Sequence, residues 1–572
     1  MGVDANPHKY NFCGQSKRQG ADPEPPQEKG PTMNVTRRSF IGTASTAAAI
    51  ATIAAVPALA EETSQAQANV GETLLPNEEG LVFHPSVPCD PSFEAEPIAD
   101  EDITETVTCD VVVCGAGMAG ACAAASCAQN GLKTIVLEKG EIFAARGSEI
   151  GAINDRAHNE AGVSIDPAEL LADAMASSHY RADRKVWKTY IDRSGEAMDW
   201  AQDTSAATEG SECGTFKVVG QNTVYDGVTT WCSGVRVEGG TYSFVAMMLD
   251  NAIQNGAEVR YNSPACQLMQ DADGKVHGVI AKTEGGYVKF ETAKGVVLAT
   301  GGYDNNWDYL CKSVRPRDLA VNAWINPTKT ETGDGHLMAK AVGAAEDDLP
   351  HVLMNDPAGS TSGQRANGCI FAFPRVNEYG ERFINESLSF EYLTNMIMYQ
   401  PGAHDYVLLS GDLLAAFDIM RGVIPWTPED LYDNCKDLLI QADTIEELAE
   451  KIGVNADNLK ATVDRYNEFC AKGVDEDFGK NPTTLLPMDE PPFYAIEESG
   501  SCLTTVSGLK VNEHSQVLSI TGSPIDGLYA LGNTSGSMFF GTYPHHISAV
   551  SHGRCLCFGY LVGRKLAGLE DA

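Results

Sequence analysis

The chain has 572 residues, of which 43% are hydrophobic and 21% are charged, a composition that excludes disorder throughout. This length is enough for two or three packed domains. The formal net charge of -37 argues against binding to nucleic acid or to anionic lipid, because a surface of that sign repels both. The acidic excess either keeps the protein soluble or suits a basic redox partner, and solubility is the simpler explanation.

An export pattern occupies the beginning of the chain. Arg37 and Arg38 stand in the run Thr-Arg-Arg-Ser-Phe-Ile-Gly and precede an Ala-rich apolar stretch that ends in Ala-Leu-Ala60. The pattern predicts a twin-arginine signal peptide region over residues 1–60, and hence a location outside the cytoplasm, in the cell envelope or a periplasm-like space. Because this route moves folded proteins, we expect the chain to acquire any cofactor before export.

Alternatives stay open for this region. The stretch Ile41–Val56 could anchor the protein in a membrane, but it is short and rich in Ala and Thr rather than in Leu and Ile. Translation starts at either Met1 or Met33. Residues 61–104 are acidic and contain Pro, with little hydrophobic periodicity, and they predict a linker that leads into the folded part.

The cysteines carry no recognisable metal or redox spacing. Of the 16 Cys, one (Cys13) lies in the signal region, so 15 remain after its removal and at least one thiol stays outside any intramolecular disulfide. No C-x-x-C or C-x-x-C-H run marks a redox pair, a zinc site or an attached haem. Buried structural thiols are the favoured interpretation, and an iron–sulfur cluster remains open without support from the spacing.

A βαβ unit follows the linker. The run Val107–Cys114 has the pattern of a buried strand, a Gly-rich turn and an Ala-rich segment to Asn130 come next, and Lys133–Leu137 predicts a second strand. A strand-rich block then covers Glu258–Thr300. These elements predict the α/β class with a Rossmann-like nucleotide-binding domain.

The remaining chain suggests an insertion into that domain. Residues 305–489 are mixed and contain helical patterns, and apolar strand patterns return from Phe493 onwards. We therefore predict a nucleotide-binding domain made of residues 105–304 and 490–572, with an α+β substrate-capping domain inserted at 305–489.

The turn after the first strand has the spacing of a dinucleotide site. The sequence Gly115-Ala-Gly-Met-Ala-Gly120 follows the strand directly, and Glu138 ends the second strand eighteen residues beyond the last glycine. The glycines let the backbone approach a pyrophosphate, the helix N-terminus stabilises its charge, and the carboxylate accepts hydrogen bonds from ribose hydroxyls. This unit suits NAD and FAD equally.

Four later segments resemble a family of flavoproteins that includes soluble fumarate reductases, urocanate reductase and 3-ketosteroid dehydrogenases, over about residues 105–568. The segments are Arg146-Gly-Ser-Glu-Ile-Gly-Ala-Ile-Asn154, Gly239-Gly240 with Asn255-Gly-Ala-Glu-Val, Gly295-Val-Val-Leu-Ala-Thr-Gly-Gly302, and Gly527-Leu-Tyr-Ala-Leu-Gly-Asn533. The resemblance implies FAD as the cofactor. It implies non-covalent binding, because no His stands at the family's attachment position.

The residues that the glycine motif and the resemblance together assign to the cofactor are Gly115, Ala116, Gly117, Met118, Ala119, Gly120, Glu138, Lys139, Ser148, Ile150, Gly151, Ala152, Cys266, Ala299, Thr300, Gly301, Asp334, Gly532, Asn533, Ser548, Ala549 and Val550.

The resemblance carries over to substrate chemistry only in part. Arg365, before Ala-Asn-Gly, matches an Arg of the family's proton pathway. Phe390 stands where fumarate reductases have the Arg that acts as general acid, and Thr504 stands where they have a carboxylate-binding His. A neutral hydrogen bond is about half as strong as a charge-assisted one, so reduction of a dicarboxylate is disfavoured.

The C-terminal segment resembles the 3-ketosteroid dehydrogenases instead. In Gly532-Asn-Thr-Ser-Gly-Ser-Met-Phe-Phe-Gly-Thr-Tyr-Pro544, a Tyr precedes Pro, and the resemblance implies that Tyr543 polarises a substrate carbonyl. Simple packing of Tyr543 in a loop is the alternative. The next two residues, His545 and His546, depart from that family, and they either assist proton transfer or face solvent.

We therefore expect an exported terminal reductase of anaerobic metabolism that reduces the C=C bond of an enone, of a steroid-like or cardenolide-like lactone, or of an aromatic enoate. Tyr543 polarises the substrate, Arg365 feeds a proton, and electrons come from a separate membrane-anchored cytochrome or quinol. The alternatives are a ketosteroid-type dehydrogenase, a fumarate-type or urocanate-type carboxylate reductase, and a non-catalytic FAD-binding module for electron transfer.

Overall fold

The computed structural model describes residues 97–570, apart from 226–227, 322, 325–328, 360–371 and 420–426. The predicted signal peptide, almost all of the linker, and Arg365 lie outside the described residues. In the described part of the chain, none of the helices has the length and apolar character that crossing a membrane requires.

The strands in chain order are β1 Ile103–Cys114, β2 Thr134–Leu137, β3 Glu149–Gly151, β4 Phe216–Val218, β5 Thr223–Tyr225, β6 Val228–Thr230, β7 Gly234–Val237, β8 Glu258–Arg260, β9 Ala265–Gln270, β10 Val276–Thr283, β11 Gly286–Leu298, β12 Ala323–Trp324, β13 Leu353–Gly359, β14 Arg375–Val376, β15 His404–Ser410, β16 Ile440–Ala442, β17 Phe493–Thr505, β18 Gln516–Leu518 and β19 Pro524–Ala530.

The helices in chain order are α1 Met118–Gln129, α2 Arg156–Ala161, α3 Pro167–Ser177, α4 Arg184–Ala207, α5 Gly240–Gln254, α6 Trp307–Ser313, α7 Asp334–Ala341, α8 Phe390–Ile397, α9 Leu413–Ile419, α10 Pro428–Cys435, α11 Ile445–Ile452, α12 Ala456–Lys472 and α13 Val550–Leu566.

The main sheet has the order β18-β19-β11-β1-β2-β8, with β10 and β9 attached antiparallel beside β11. The central strand β1 pairs parallel with both β2 and β11. Its side chains alternate between two cores, with Val111 and Val113 in one and Val112 and Cys114 in the other. Both faces of the sheet are therefore buried, as parallel strands require, and the predicted α/β class is confirmed.

Helices α1 and α13 cover one face of this sheet and pack closely on each other. At Gly559 an added Cβ would lie 2.8 Å from Cys122 Cβ, and at Gly563 it would lie 2.3 Å from Ser126 Oγ. The two glycines of α13 thus let this helix approach α1 of the first βαβ unit. This contact brings the two ends of the described chain together and places the start of α13 beside the carboxyl end of β1.

A second sheet has the order β12-β17-β15-β14, with β13 and β16 also paired to β17. Strand pairing puts β17 in this sheet, although the sequence prediction starts the returning part of the nucleotide-binding domain at residue 490. The long β17 therefore pairs within the second sheet before the chain returns to the first sheet at β18 and β19. The predicted domain limits stay a prediction.

Candidate active site

A cavity of about 770 Å³ opens at the carboxyl ends of the parallel strands of the main sheet. Cys114, Leu137 and Ala299 form its floor at the ends of β1, β2 and β11, and Met354 and Leu503 reach it from β13 and β17 of the second sheet. Ligands of open α/β sheets bind in this position, because the strand ends and the helix N-termini converge there. The location predicted for the cofactor is therefore the location of the cavity.

The glycine turn packs so tightly against neighbouring backbone that two of its positions leave no room for a side chain. Gly115 has φ +105°, and a Cβ there would lie 2.3 Å from the carbonyl oxygen of Ala299. A Cβ on Gly120 would lie 1.9 Å from the carbonyl oxygen of Gly115. Helix α1 begins after Gly117 without a side-chain cap, so its first N–H groups point towards the cavity. Such a helix end fits a pyrophosphate.

Glu138 holds this turn through hydrogen bonds to backbone N–H groups. Its two carboxylate oxygens accept the N–H groups of Ala116 at 2.9 Å and of Gly140 at 2.8 Å. A carboxylate has about four acceptor sites, so capacity for ribose hydroxyls remains. The residue thus fits a nucleoside while it fixes the backbone that receives the phosphates.

A second helix points its uncapped N-terminus at the other side of the cavity. Helix α13 starts at Val550 after Ala549, which has φ +57° and provides no side-chain cap. Ser548, Ala549 and Ser551 line the cavity, and the carbonyl oxygen of Ala549 accepts the N–H of Gly151 at 3.0 Å. The positive end of this helix can stabilise negative charge on the electron-accepting part of a cofactor.

Arg146 forms a charged cluster at the junction of the two sheets. Its guanidinium donates to the carbonyl oxygen of Leu503 and to Thr504 Oγ1, both at 3.0 Å, and to Glu331 at 2.7 Å. Asp304 lies 3.7 Å from it. Burial, together with the charge of Asp304, raises the pKa of Glu331 to about 7. The charge of Arg146 is thus balanced inside the protein.

The other Arg and Lys side chains of the described cavity wall are paired in the same way. Lys139 Nζ lies 2.8 Å from Asp334 Oδ2, and Arg236 lies 2.7 Å from Glu149. The described wall therefore presents no cation that lacks a carboxylate partner. This distribution of charge does not favour a carboxylate ligand near these residues.

Tyr543 is buried and lines the cavity. Its hydroxyl accepts the N–H of Ser551 at 3.0 Å, while Phe539 packs edge-on against its ring at 5.1 Å. Burial raises the pKa of Tyr543 well above its usual value, so the phenol is neutral and keeps its proton. One accepted hydrogen bond leaves the O–H available as a donor and polarises it further.

The two adjacent histidines have different surroundings. His545 lines the cavity, and its Nε2 lies 3.0 Å from Oδ1 of the buried Asp356 on β13. The side chain of His546 is 3% exposed and does not line the cavity. Its ring lies between Asp173 at 3.2 Å and Glu391 at 3.3 Å. The sequence alternative in which these histidines face solvent is therefore wrong, because carboxylates from three other elements enclose them.

Some of the predicted cofactor residues line the cavity, and the others lie behind its wall. Those that line the cavity are Gly115, Gly117, Met118, Ala119, Glu138, Lys139, Ser148, Ala299, Thr300, Gly301, Asp334, Gly532, Asn533, Ser548 and Ala549. Those that do not line it are Ala116, Gly120, Ile150, Gly151, Ala152, Cys266 and Val550. In the second group, Ala116 and Gly151 support the wall through the backbone hydrogen bonds described above. Ala265 lines the cavity in place of the predicted Cys266.

The other residues that the sequence analysis singled out have the following positions. Thr504 lines the cavity and accepts hydrogen bonds from Arg146 and from Asn533 Nδ2, the latter at 2.8 Å. Phe390 is the first residue of α8. Arg365 lies outside the described residues. Among the described residues, no disulfide bond is present and no group of three or more His, Cys, Asp or Glu is placed to hold a metal ion.

Sequence analysis did not identify the carboxylates of the site. Asp356, Asp173, Glu391, Glu331 and Asp304 reach the histidines or Arg146 from distant parts of the chain. A weak local signal exists only for Glu331, which precedes the Thr-Gly-Asp-Gly turn at residues 332–335. Asp304 follows the segment Gly295–Gly302 by two residues, and the other three stand in segments that have no motif.

Comparisons with known proteins agree with this geometry. The family model described as an FAD binding domain matches residues 110–548. A vinyl phenol reductase of Lactiplantibacillus plantarum is 27% identical over 475 residues, which is 77% of this chain and 91% of that protein. A flavocytochrome c3 fumarate reductase in its open conformation has a TM-score of 0.61 at 26% identity and covers 82% of this chain and 79% of its own.

The fold is also that of a 3-ketosteroid dehydrogenase from Rhodococcus jostii RHA1, with a TM-score of 0.66 at 23% identity and coverage of 83% of this chain and 100% of its own. The predicted cofactor is thereby confirmed as FAD. The match to the family model and the similarity to these enzymes show that this chain belongs to the FAD-binding-domain family and is an FAD-dependent oxidoreductase of the class that acts on CH–CH groups.

Proposed function

We propose that this protein is an exported FAD-dependent reductase of a carbon–carbon double bond conjugated with a carbonyl group, in an enone, an unsaturated lactone or an aromatic enoate. The observation that carries the proposal is Tyr543, a neutral buried phenol on the cavity wall whose oxygen is already oriented by the N–H of Ser551. A donor of this kind suits an oxygen that becomes negative during the reaction.

The residues divide the work between binding and polarisation. The reduced FAD, when bound, supplies the hydride. Tyr543 donates its hydrogen bond to the carbonyl oxygen and stabilises the enolate that forms as the double bond is reduced. Met354 and Leu503 contribute apolar side chains to the same cavity, and such a lining helps to exclude water from a bound substrate.

The charge pattern of the wall supports a neutral substrate. Lys139, Arg146 and Arg236 are each engaged by a carboxylate. The hydroxyl of Thr504 is neutral and is already hydrogen-bonded within the protein. Binding of a dicarboxylate here would require breaking one of these pairs and leaving a carboxylate unbalanced. Enones, lactones and esters need only a hydrogen-bond donor, which Tyr543 provides.

A second substrate class, a vinylphenol such as para-vinylphenol, is favoured by the similarity to the vinyl phenol reductase, of which this chain covers 91%. Such a substrate is also neutral. Protonation of its terminal carbon and loss of its phenolic proton give a quinone methide, which is an extended enone that accepts hydride beside the ring. The oxygen of that quinone methide would occupy the same hydrogen-bond position at Tyr543.

The proposal also covers the location of the enzyme and the source of its electrons. The Arg37-Arg38 pattern supports export, and the similarity to a flavocytochrome c3 supports a haem protein as the electron source. This chain has no C-x-x-C-H run, so we assign the haem to a separate, membrane-anchored cytochrome that serves the enzyme in anaerobic respiration. A ketosteroid-type dehydrogenase would run the same reaction in the opposite direction, so the physiological direction of hydride transfer distinguishes the two.

An anaerobic dye assay tests the proposal. The FAD-loaded protein is mixed with a reduced viologen, and oxidation of the dye is followed after separate additions of benzylideneacetone, a butenolide, an enone steroid, para-vinylphenol, a cinnamate, fumarate and urocanate. Oxidation by one of the neutral compounds supports the proposal. Oxidation by fumarate or urocanate alone contradicts it, and no oxidation by any compound favours the dehydrogenase or a non-catalytic electron-transfer module.

A further inference from the structure

We propose that His545, positioned by Asp356, delivers the proton to the carbon next to the one that receives the hydride, and that His546 takes no part in this transfer. The inference rests on the proposed function and assigns its proton donor, a role that the sequence analysis gives to Arg365, which lies outside the described residues. It follows from the different surroundings of two residues that are adjacent in sequence.

His545 has the position that a proton donor needs. It lies on the cavity wall with the edge of its ring against Tyr543, at 4.6 Å between ring centroids and 80° between ring planes. A substrate that hydrogen-bonds to Tyr543 therefore has its conjugated carbons within reach of the same corner of the cavity. Histidine is the side chain best suited to exchange a proton near neutral pH.

Asp356 gives this histidine a fixed orientation. It is fully buried on β13, whose pairing with β17 holds it in place, and its carboxylate lies 3.0 Å from Nε2 of His545. A buried carboxylate against one imidazole nitrogen orients the ring and stabilises it when it carries a proton. Asp356 does not line the cavity, so its part is that of a positioning residue.

His546 is held in a different way and does not reach the substrate. Its two ring nitrogens face Asp173 on α3 and Glu391 on α8. Its carbonyl oxygen accepts the N–H of Trp231 at 2.7 Å, and the indole N–H of Trp231 donates to Asp173 at 2.7 Å. These contacts fix the loop that carries Tyr543 and His545. His546 is therefore a structural cation of that loop.

The step balances in atoms and electrons. The reductant is the reduced FAD of the proposed function, and the substrate gains one hydride on the first carbon. The electron pair of the double bond moves towards the oxygen at Tyr543. As the carbonyl re-forms, the second carbon forms its C–H bond with the proton of His545, whose N–H bond breaks. Water returns a proton to the ring, so the substrate has gained two electrons and two hydrogens.

Hydrogen exchange tests the proton step without electron transfer. The oxidised, FAD-loaded enzyme in D₂O is incubated with benzylacetone, the saturated product of benzylideneacetone, and with para-vinylphenol, and NMR follows exchange at the carbon beside the carbonyl and at the terminal vinyl carbon. We expect the wild type to exchange one of these positions. His545→Gln should slow exchange about 100-fold or more, since general acid–base catalysis contributes that much, and Asp356→Asn should slow it at least about 10-fold.

Matched controls separate this role from damage to the fold. His514→Gln and Asp348→Asn change the same residue types outside the cavity wall and should exchange at the wild-type rate. Retained FAD, seen in the visible spectrum, reports folding of each variant. If His545→Gln does not retain FAD, the smaller change His545→Asn takes its place, and recovery of exchange in His545→Ala on addition of imidazole supports the assignment.

The outcomes distinguish the inference from the proposed function. If the wild type reduces a neutral compound but His545→Gln exchanges and reduces at the wild-type rate, the inference is overturned and the function stands. If His546→Gln, with FAD retained, loses exchange as fully as His545→Gln, the division of roles is wrong. If the wild type reduces none of the compounds in the dye assay, the proposed function fails and the inference falls with it.

Discussion

Replacement of Tyr543 by Phe removes one oxygen from the cavity wall and leaves the ring contacts with Phe539 and His545 in place. The change deletes the hydrogen bond to the carbonyl oxygen of the substrate, which strengthens as that oxygen becomes negative. Removal of one donor from an oxyanion site costs about 2.7–4 kcal/mol, or about 100-fold to 1000-fold in kcat. We expect a loss of that size in the dye assay with the best neutral substrate, with little change in KM.

The same change also affects the fold, and the structure limits that effect. The hydroxyl of Tyr543 accepts the N–H of Ser551, the second residue of α13, so its loss removes the partner of one N–H at the start of a helix. Such a loss costs about 1 kcal/mol of stability. The shift in Tm is therefore small, and FAD should be retained.

A matched control uses Tyr190, another buried tyrosine of the same core. Among the described residues its hydroxyl has no hydrogen-bond partner, and Tyr190 does not line the cavity. Tyr190→Phe should therefore keep kcat within about two-fold and leave stability equal or slightly higher, because an unsatisfied buried hydroxyl costs free energy. If Tyr543→Phe reduces the substrate as fast as Tyr190→Phe does, polarisation by Tyr543 is refuted.

Three further predictions concern the cofactor and the loop. Gly120→Ala puts a Cβ 1.9 Å from the carbonyl oxygen of Gly115, and overpacking of about 1–3 kcal/mol should weaken FAD binding about 10-fold or more, as measured by FAD released on dilution. Glu138→Gln removes a charge that holds the N–H groups of the turn, so FAD titration should give a Kd about 10-fold higher. Burial alone would lower the pKa of His546, but Asp173 and Glu391 outweigh it and raise the pKa to about 9. Since this folded pKa exceeds the unfolded value of about 6.5, the ion pairs stabilise the fold fully below about pH 6.5 and lose that contribution as the pH rises through about 9. Denaturant unfolding at a series of pH values should show the free energy of unfolding of the wild type falling over this pH range. A His546→Gln variant with the same pH dependence would contradict this prediction.

The cofactor half of the site is predictable because its signals are local. The strand, the glycine turn, helix α1 and Glu138 follow one another within residues 103–138, and each has a pattern that depends on near neighbours. The same holds for the α/β class, since the runs of buried residues in β1 and β11 indicate parallel strands covered on both faces.

Local sequence patterns do not predict which sheet β17 joins. Its apolar run predicts a strand correctly, but nothing within residues 493–505 states which sheet it joins. That choice is made by pairing with β13 and β15, which lie far earlier in the chain. Strand patterns are short, and partners are selected by the packing of whole layers rather than by propensity.

Residues that are distant in sequence also determine the chemical roles of His545 and His546. In sequence, His545 and His546 are neighbours of one residue type in one loop, and no local pattern distinguishes a proton donor from a structural cation. The structure distinguishes them through carboxylates at residues 173, 356 and 391, which α3, β13 and α8 bring to the loop from more than 150 residues away. A carboxylate on each side of His546 encloses the ring, whereas Asp356 stands behind His545 and leaves that residue on the cavity wall. The chemistry of the loop is therefore set by the elements that surround it, and variants of these three carboxylates should separate the two roles more clearly than variants of the histidines themselves.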